Sequence, residues 1–476
     1  MKKLLAILAL AGAVALAWTC NQDKKEKDPD IYNRFCNGSP ADNLCPHIPY
    51  DVNESFTLGY DSFLDSLHQI PFDVFSWQTF VALNWPSDSA GNPVGNSPSD
   101  FPDAPRVWER YTDPATIFGH TNTELLLQLG DAGRNGQKFF YMDSKAPVSL
   151  LPNNTIDMSL LTHNKLKGFL EADGHPLIDR NLNFVLYEIK LNPVETKYIV
   201  SNKLTTVQGI YSYAATSPGG IELPASDSAS GNPGIIEIKS SWRILVPALG
   251  DDTSRYYCRR ATVYIDSLHT RNRKSLILTN VQVGLVGMHI VRKTAKVSAN
   301  QIWTTFEHID NVPDNPQQAQ QNNKQWSFYN AACLNCPPNT PPDTLTGDQG
   351  RYIWETTMPY AGSYAVKPPG QTPDDSFGVQ AVRVYPIYKY TEMVTQLWQN
   401  KLKGTVWANY RLIGTQWQQA EISPAPTAPN FLANTTLETY DQISASCISC
   451  HGGASVIYNN DTIRTDLSFI FPVYAK

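Results

Sequence analysis

The first pattern along the chain is an apolar run at residues 4–18, directly behind Met1, Lys2 and Lys3. It is shorter than the ~20 residues a spanning helix needs, and its positive start marks a secretory signal. Residues 21–30 (NQDKKEKDPD) then carry dense mixed charge, which predicts a solvated tether. Helical spacing follows at 57–68, with Phe63, Leu64 and Leu67 on one side. Pro71 opens a second helix over 72–85, apolar on nearly all faces and therefore buried. The Ser-, Gly- and Pro-rich stretch at 86–105 reads as a loop, either a surface excursion or a lid.

From about residue 176 the pattern changes to strands. Segments 183–191 (NFVLYEIKL), 235–245, 260–266, 281–292 (VQVGLVGMHIVR), 301–310 (QIWTTFEHID) and 405–418 alternate or are rich in β-branched residues. The short connection 293–300 predicts a hairpin over 281–310. Loops dense in Pro, Gly, Asn and Ser separate the strands at 217–233, 312–324 and 337–349. No repeat of solenoid or propeller period occurs. The expected class is α+β with a mainly β central body, a sandwich or a mixed sheet, flanked by N-terminal helices and a C-terminal helical segment. Four regions follow: a signal peptide at 1–19, an anchor and tether at 20–50, a body at 51–430 that includes the hairpin, and a C-terminal segment at 431–476.

The signal ends at Leu16-Ala17-Trp18-Thr19-Cys20, which is similar to a bacterial lipobox although Trp18 and Thr19 are bulky for it. On this reading Cys20 is the first mature residue and carries lipid, so the protein hangs from a membrane, the outer membrane being the expected one. The alternative is ordinary cleavage nearby with Cys20 incidental. The tether is a plain spacer or a surface-export signal. The net charge of -6, with no basic stripe that would track phosphates, gives no support for nucleic-acid binding, and none is expected.

Export places the cysteines where thiols oxidise. Cys36 and Cys45 are near enough to bridge a loop, Cys333 and Cys336 to form a local bridge or bind metal, and Cys258 is left as a lone buried thiol. Cys447-Ile448-Ser449-Cys450-His451 is the strongest signal, because C-x-x-C-H is the attachment sequence of c-type haem. Two thiols at this spacing each add to one vinyl group of a single porphyrin, and the adjacent histidine becomes the proximal iron ligand. Leu437, Tyr440, Ile443, Cys447 and His451 recur at helical spacing, Thr435 or Thr436 is a candidate cap, and Gly452-Gly453 ends the pattern. The apolar stretch at 467–471 either closes over the haem edge or is ordinary core. Two alternatives stay open: simple disulfides, and a four-thiolate zinc site combining Cys333 and Cys336 with Cys447 and Cys450.

Only 25 residues follow His451 and none is Met or His, so a sixth iron ligand has to come from upstream. A hairpin turn near 297–298 sets His289 and His308 opposite each other on one face, with Met288 and Glu307 facing away. His289 and His308 are therefore the distal candidates, or a pair for a separate metal; Met288, Met358 and Met393 are thioether candidates, and an open iron is the remaining case.

Four segments together carry a resemblance: 76–85 (SWQTFVALNW), 284–291 (GLVGMHIV), 303–311 (WTTFEHIDN) and 433–440 (ANTTLETY) leading into the haem motif. Taken over most of the mature chain, the sequence resembles a family of bacterial envelope proteins labelled as cytochrome c family. That resemblance implies one covalent haem c near the C-terminus and makes the His289 and His308 segments characteristic of the family. It implies no particular reaction. The leading functional expectation is electron transfer to a redox partner protein in the envelope. A haem enzyme, such as a peroxidase or small-molecule oxidase with His289, His308, Glu307 or Arg292 moving protons, is the alternative. So is a ligand-binding module with a structural or sensor haem, since more than four hundred residues precede the motif.

Overall fold

The computed structural model describes residues 44–53, 64–119, 138–142, 168–171, 173–295, 300–319, 324–333, 335–344, 350–367, 376–418 and 427–475. The signal peptide, Cys20, Cys36 and the charged tether lie outside the described residues. So does most of the expected helix 57–68.

The architecture is α+β around one mixed sheet. Strands β1 (Lys138–Met142), β4 (Cys258–Ile265), β5 (Leu276–Arg292), β6 (Ile302–His308), β7 (Tyr410–Gln418) and β8 (Thr427–Ala428) follow one another in space. Strand β3 (Ile236–Ile244) joins β5 as well, and β2 (Leu186–Leu191) joins β3. Among the described strand pairs only β1–β4 is parallel. Strand β5 is long enough to serve two neighbourhoods. Its first half pairs with β4 and is half exposed, whereas residues 283–292 pair with β3 and are buried throughout, with 287–292 held between β3 and β6.

Each strand alternates its side chains between two covered faces. One face receives helix α1 (Leu64–Leu83) and, packed on it, helix α4 (Lys389–Lys401), with α2 (Pro193–Ser201) and α3 (Val207–Ala214) lying between β2 and β3 in the chain. The Ser76 hydroxyl lies 2.8 Å from Thr304 Oγ1 and 2.7 Å from Thr415 Oγ1. Phe80 stacks on Phe306 at 4.1 Å, and Trp77 meets Phe306 and Trp398. The opposite face, carrying Trp303, Thr305 and Glu307, is covered by the C-terminal segment.

Two expectations are corrected here. The chain does not break at Pro71; α1 runs through it as one helix. A buried proline costs the i−4 hydrogen bond. That loss is outweighed because Ile70, Phe72, Val74, Phe75, Trp77, Phe80 and Val81 are all buried on the same rod. The hairpin register also differs. His289 pairs with Thr305, and His308 pairs with Tyr410 of β7. The offset from the expected pairing is three residues. An odd offset sends the two histidines to opposite faces. Pairing Met288 with Phe306 sets the register, because it puts both apolar side chains under α1. Helices α2, α3 and α4 and strand β1 have no counterpart in the sequence reading.

Asp73 in α1 is fully buried and has hydroxyl and amide partners, Thr391 Oγ1 at 2.6 Å and Gln69 Nε2 at 2.7 Å. Burial pushes its carboxyl up to about 7, against the three hydrogen bonds that favour the anion. A carboxyl that is more basic folded than unfolded binds its proton more tightly in the native state. Stability therefore falls as pH rises from about 4 through 7. Asp73→Asn keeps the shape and is expected to flatten that decline, so the variant gains on the wild type in urea unfolding at pH 8. An unchanged pH profile would refute this.

Candidate functional site

The C-terminal segment is docked by polar side chains. Asn434 Nδ2 donates to Thr305 Oγ1 at 2.8 Å and to the Phe306 carbonyl at 2.9 Å. Thr435 N–H donates to Glu307 Oε1, and the hydroxyls of Thr436 and Ser241 lie 2.7 Å apart. Further along, the Thr439 N–H and hydroxyl donate to buried Glu171. Gly287 makes this approach possible, since a Cβ there would sit 2.2 Å from Thr436 Oγ1 and 2.5 Å from Ser241 Oγ. The same hydrogen bonds correct the expected helix. Asn434 and the threonines spend their side chains on local backbone and on the sheet, which competes with helix formation. Residues 435–444 are turns, and Ile443 of the expected helical face is 72% exposed.

Only Cys447–His451 is helical, one turn termed α5. Ser446 caps it through Ser449 N–H, and Gln416 Oε1 accepts from Ile448 N–H at 3.0 Å. Strand β7 thus holds the turn against the sheet. Cys447 and Cys450 are both free thiols, the second exposed. Cys333 and Cys336 have the same spacing but form a disulfide, which leaves no thiolate pair for the four-cysteine zinc alternative. Cys45 is also disulfide-bonded. Cys258 is free and half-buried, its thiol pushed up to about 11 by burial. Among the described residues no group of three or more His, Cys, Asp and Glu is placed to hold a metal ion.

His451 is fixed on three sides. Its ring packs against Trp303 at 4.2 Å and Phe469 at 4.9 Å, and its Nδ1 lies 2.8 Å from the Leu467 carbonyl oxygen. A carbonyl only accepts, so Nδ1 carries the hydrogen and Nε2 keeps the lone pair. Burial holds the ring neutral, its pKa lowered to about 4. The carbonyl is presented by an unusual turn. After the hairpin β9 (Ser455–Tyr458) and β10 (Asp461–Arg464), Asp466 and Leu467 both adopt the left-handed region, with φ of 51° and 61°. Such a conformation is costly for residues with a Cβ and needs outside support. Lys293 supplies it by an ion pair to Asp466 at 2.8 Å, and Gln301 by donating to the Asp466 carbonyl at 2.6 Å. Helix α6 (Ile470–Tyr474) follows and buries Ile470 and Phe471 in a second core.

Cys447, Cys450 and His451 line one cleft of about 310 Å³. Its other walls include His289, Lys239, Glu237, Glu438 and Phe469. Of the sequence-predicted distal candidates, His289 is therefore at the cleft, its Nε2 2.7 Å from Glu438 Oε1. Burial alone would raise Glu438, but the His289 charge and hydrogen bond hold it below the usual carboxylate range. His308 is elsewhere. It is fully buried, its Nε2 donates to the Arg255 carbonyl at 2.9 Å, and its Nδ1 accepts from Asp310 N–H. Met288 is fully buried in the main core under α1, and Met358 is 45% exposed. Neither lines the cleft. Arg292, offered above as a proton mover, donates instead to the carbonyls of Pro49 and Pro233. Glu307 is ion-paired to Arg383. In the stretch at 467–471, Phe469 lines the cleft, Phe471 packs in the second core, and Ile470 borders both.

Sequence reasoning missed Glu438 as a partner of His289, Lys239, Glu237 and the role of Trp303. The polar cluster ANTTLE before the C-x-x-C-H motif was an available signal, since buried polar side chains are costly unless they are paired. No family model, no curated protein and no solved structure matches this chain.

Proposed function

We propose that this chain is a lipid-anchored monohaem c-type cytochrome that passes single electrons in the bacterial cell envelope. The observation that carries the reading is the arrangement on one turn of α5. Two free thiols stand beside a neutral imidazole whose Nδ1–H is engaged by a backbone carbonyl, which is how a metal-ligating histidine is oriented and made more basic. The residues fit the group: Cys447 and Cys450 would hold haem c by thioethers, and His451 Nε2 would bind iron. The haem supplies a one-electron couple; the chain supplies orientation, an apolar wall from Trp303, Phe469 and Ile470, and the charges of the cleft. The lipid on Cys20, the outer-membrane location and the redox partner protein belong to the same proposal and rest on the lipobox-like segment. Among the described residues no helix is long and apolar enough to cross a membrane.

A haem-dependent enzyme is the second reading, and the His289–Glu438 pair favours it, since a carboxylate-oriented imidazole is an acid–base group in reach of a bound substrate. Visible spectra of the oxidised and reduced protein, with and without carbon monoxide, decide between them. Electron transfer predicts a low-spin haem indifferent to carbon monoxide, and a high-spin haem that binds it would overturn that reading in favour of catalysis. With His289 as sixth ligand, His289→Ala is expected to convert a low-spin spectrum to high-spin. An unchanged spectrum would remove His289 from the coordination sphere.

A further inference from the structure

Electron transfer leaves two neighbouring carboxylates without a task, one in the cleft wall and one behind it. Glu237 lies on β3 and lines the cleft; Glu195 stands behind it in the first turn of α2. Glu195 is fully buried, and its carboxyl finds no donor or cation other than the neighbouring Glu237, with which it shares a hydrogen bond. One oxygen of Glu237 lacks a partner. No cation is paired with either among the described residues. A buried carboxylate with neither cation nor donors is too costly to leave ionised, so it keeps a proton instead. Burial, then the neighbouring Glu237, pushes Glu195 well above the ordinary carboxylate range; Glu237 is raised by burial as well, with Glu195 and Ser468 partly opposing it.

The charged surroundings are few. Asp466 acts on both groups from the left-handed turn and is itself tied to Lys293. Lys239 lies one pleat along β3 on the same face, and the His289–Glu438 pair stands on the cleft wall contributed by β5 and the C-terminal segment. The turn that carries Asp466 and Ser468 is the one that presents Leu467 to His451. Glu237 and His451 line the same cleft, so negative charge gained in that cleft acts on this pair through a low-dielectric interior and raises its proton affinity.

We propose that Glu195 and Glu237 form a two-carboxylate proton site that takes up a proton when the cleft gains an electron and releases it when the electron leaves. The proposal rests on the haem reading above. In the oxidised protein Glu195 holds one proton and Glu237 is a carboxylate. A one-electron donor of the envelope delivers the electron. One proton from bulk water enters, and one O–H bond forms on Glu237. Reoxidation breaks that bond and returns the proton to water. The coupling is reciprocal, so pH must move the redox potential. Low pH favours the protonated pair and hence the reduced state, and the potential falls as pH rises.

The test is spectroelectrochemical titration of the haem-loaded full chain from pH 5 to 9, beside Glu237→Gln and Glu195→Gln. The wild type is expected to show a potential that falls with pH, and Glu237→Gln a flattened profile. A reduced-minus-oxidised infrared spectrum of the wild type gives a second measurement that needs no variant. A protonated-carboxyl band is expected to appear on reduction. A coloured protein with no such band, or with equal pH profiles in all three chains, overturns the proton site alone. A profile that survives Glu237→Gln but vanishes in His289→Ala assigns the proton to the other pair and overturns it too. A colourless wild type sinks the haem reading and this one with it.

Discussion

A chain carrying serine at both Cys447 and Cys450 is expected to emerge colourless from a host competent for c-type assembly, with the mass of the bare polypeptide, while the wild type carries one covalent haem. Serine is close in size but forms no thioether. Cys447 is half-buried and Cys450 exposed, so the substitutions remove little packing. Exposed substitutions of this kind change stability by about 0.5 kcal/mol or less. The sheet and both cores should therefore survive, with an unchanged far-ultraviolet circular dichroism spectrum and loss of colour alone. Each single serine variant keeps one thiol and is expected to retain haem at reduced yield. Covalent haem on the double variant, or none on the wild type, would end the cytochrome reading.

The largest effect on stability is expected from Trp77→Ala. Trp77 is fully buried and joins three elements. Its ring packs edge-on to Phe306 of β6 at 4.9 Å and stacks on Trp398 of α4 at 5.9 Å, and its Nε1–H donates to Thr395 Oγ1 at 3.3 Å. Truncation removes the ring from water-free packing and leaves a cavity between α1 and the sheet. Such changes cost about 3–5 kcal/mol. The strand that Trp77 supports also carries Trp303 and Thr305 on its other face, where the C-terminal segment docks. Urea unfolding of the variant should show this loss together with a lower yield of haem-loaded protein. A loss below about 1 kcal/mol would mean that the helix layer is not what secures the sheet.

The C-x-x-C-H motif needed no fold to be legible, because its three residues lie within five consecutive positions. Strands β2 to β7 were legible in outline, since alternation and β-branched runs survive burial on either face. Helix α4 was not, because it is polar on one side and sits between loops; β1, an isolated five-residue strand, has too short a pattern. Pro71 misled because the local penalty of a proline is visible in sequence, whereas the burial that offsets it is not. His308 misled because hairpin register depends on which apolar residues the core accepts. A shift of three residues turned a supposed ligand into a structural side chain bonded to the Arg255 carbonyl. Glu195 carried no signal at all, since nothing in a chain marks which carboxyl will end up buried against another.

The order of residues by itself determined an apolar run near the N-terminus, a run of strands and a C-x-x-C-H motif, each written within a few consecutive positions. Tertiary structure alone decided which histidine stands in the cleft, which carbonyl orients His451, and that Glu195 and Glu237 are buried side by side. The physical reason is range. Covalent chemistry and strand propensity are local, but burial, register and the pairing of charges are settled among groups hundreds of residues apart, where the sheet's two faces assign each side chain its neighbours.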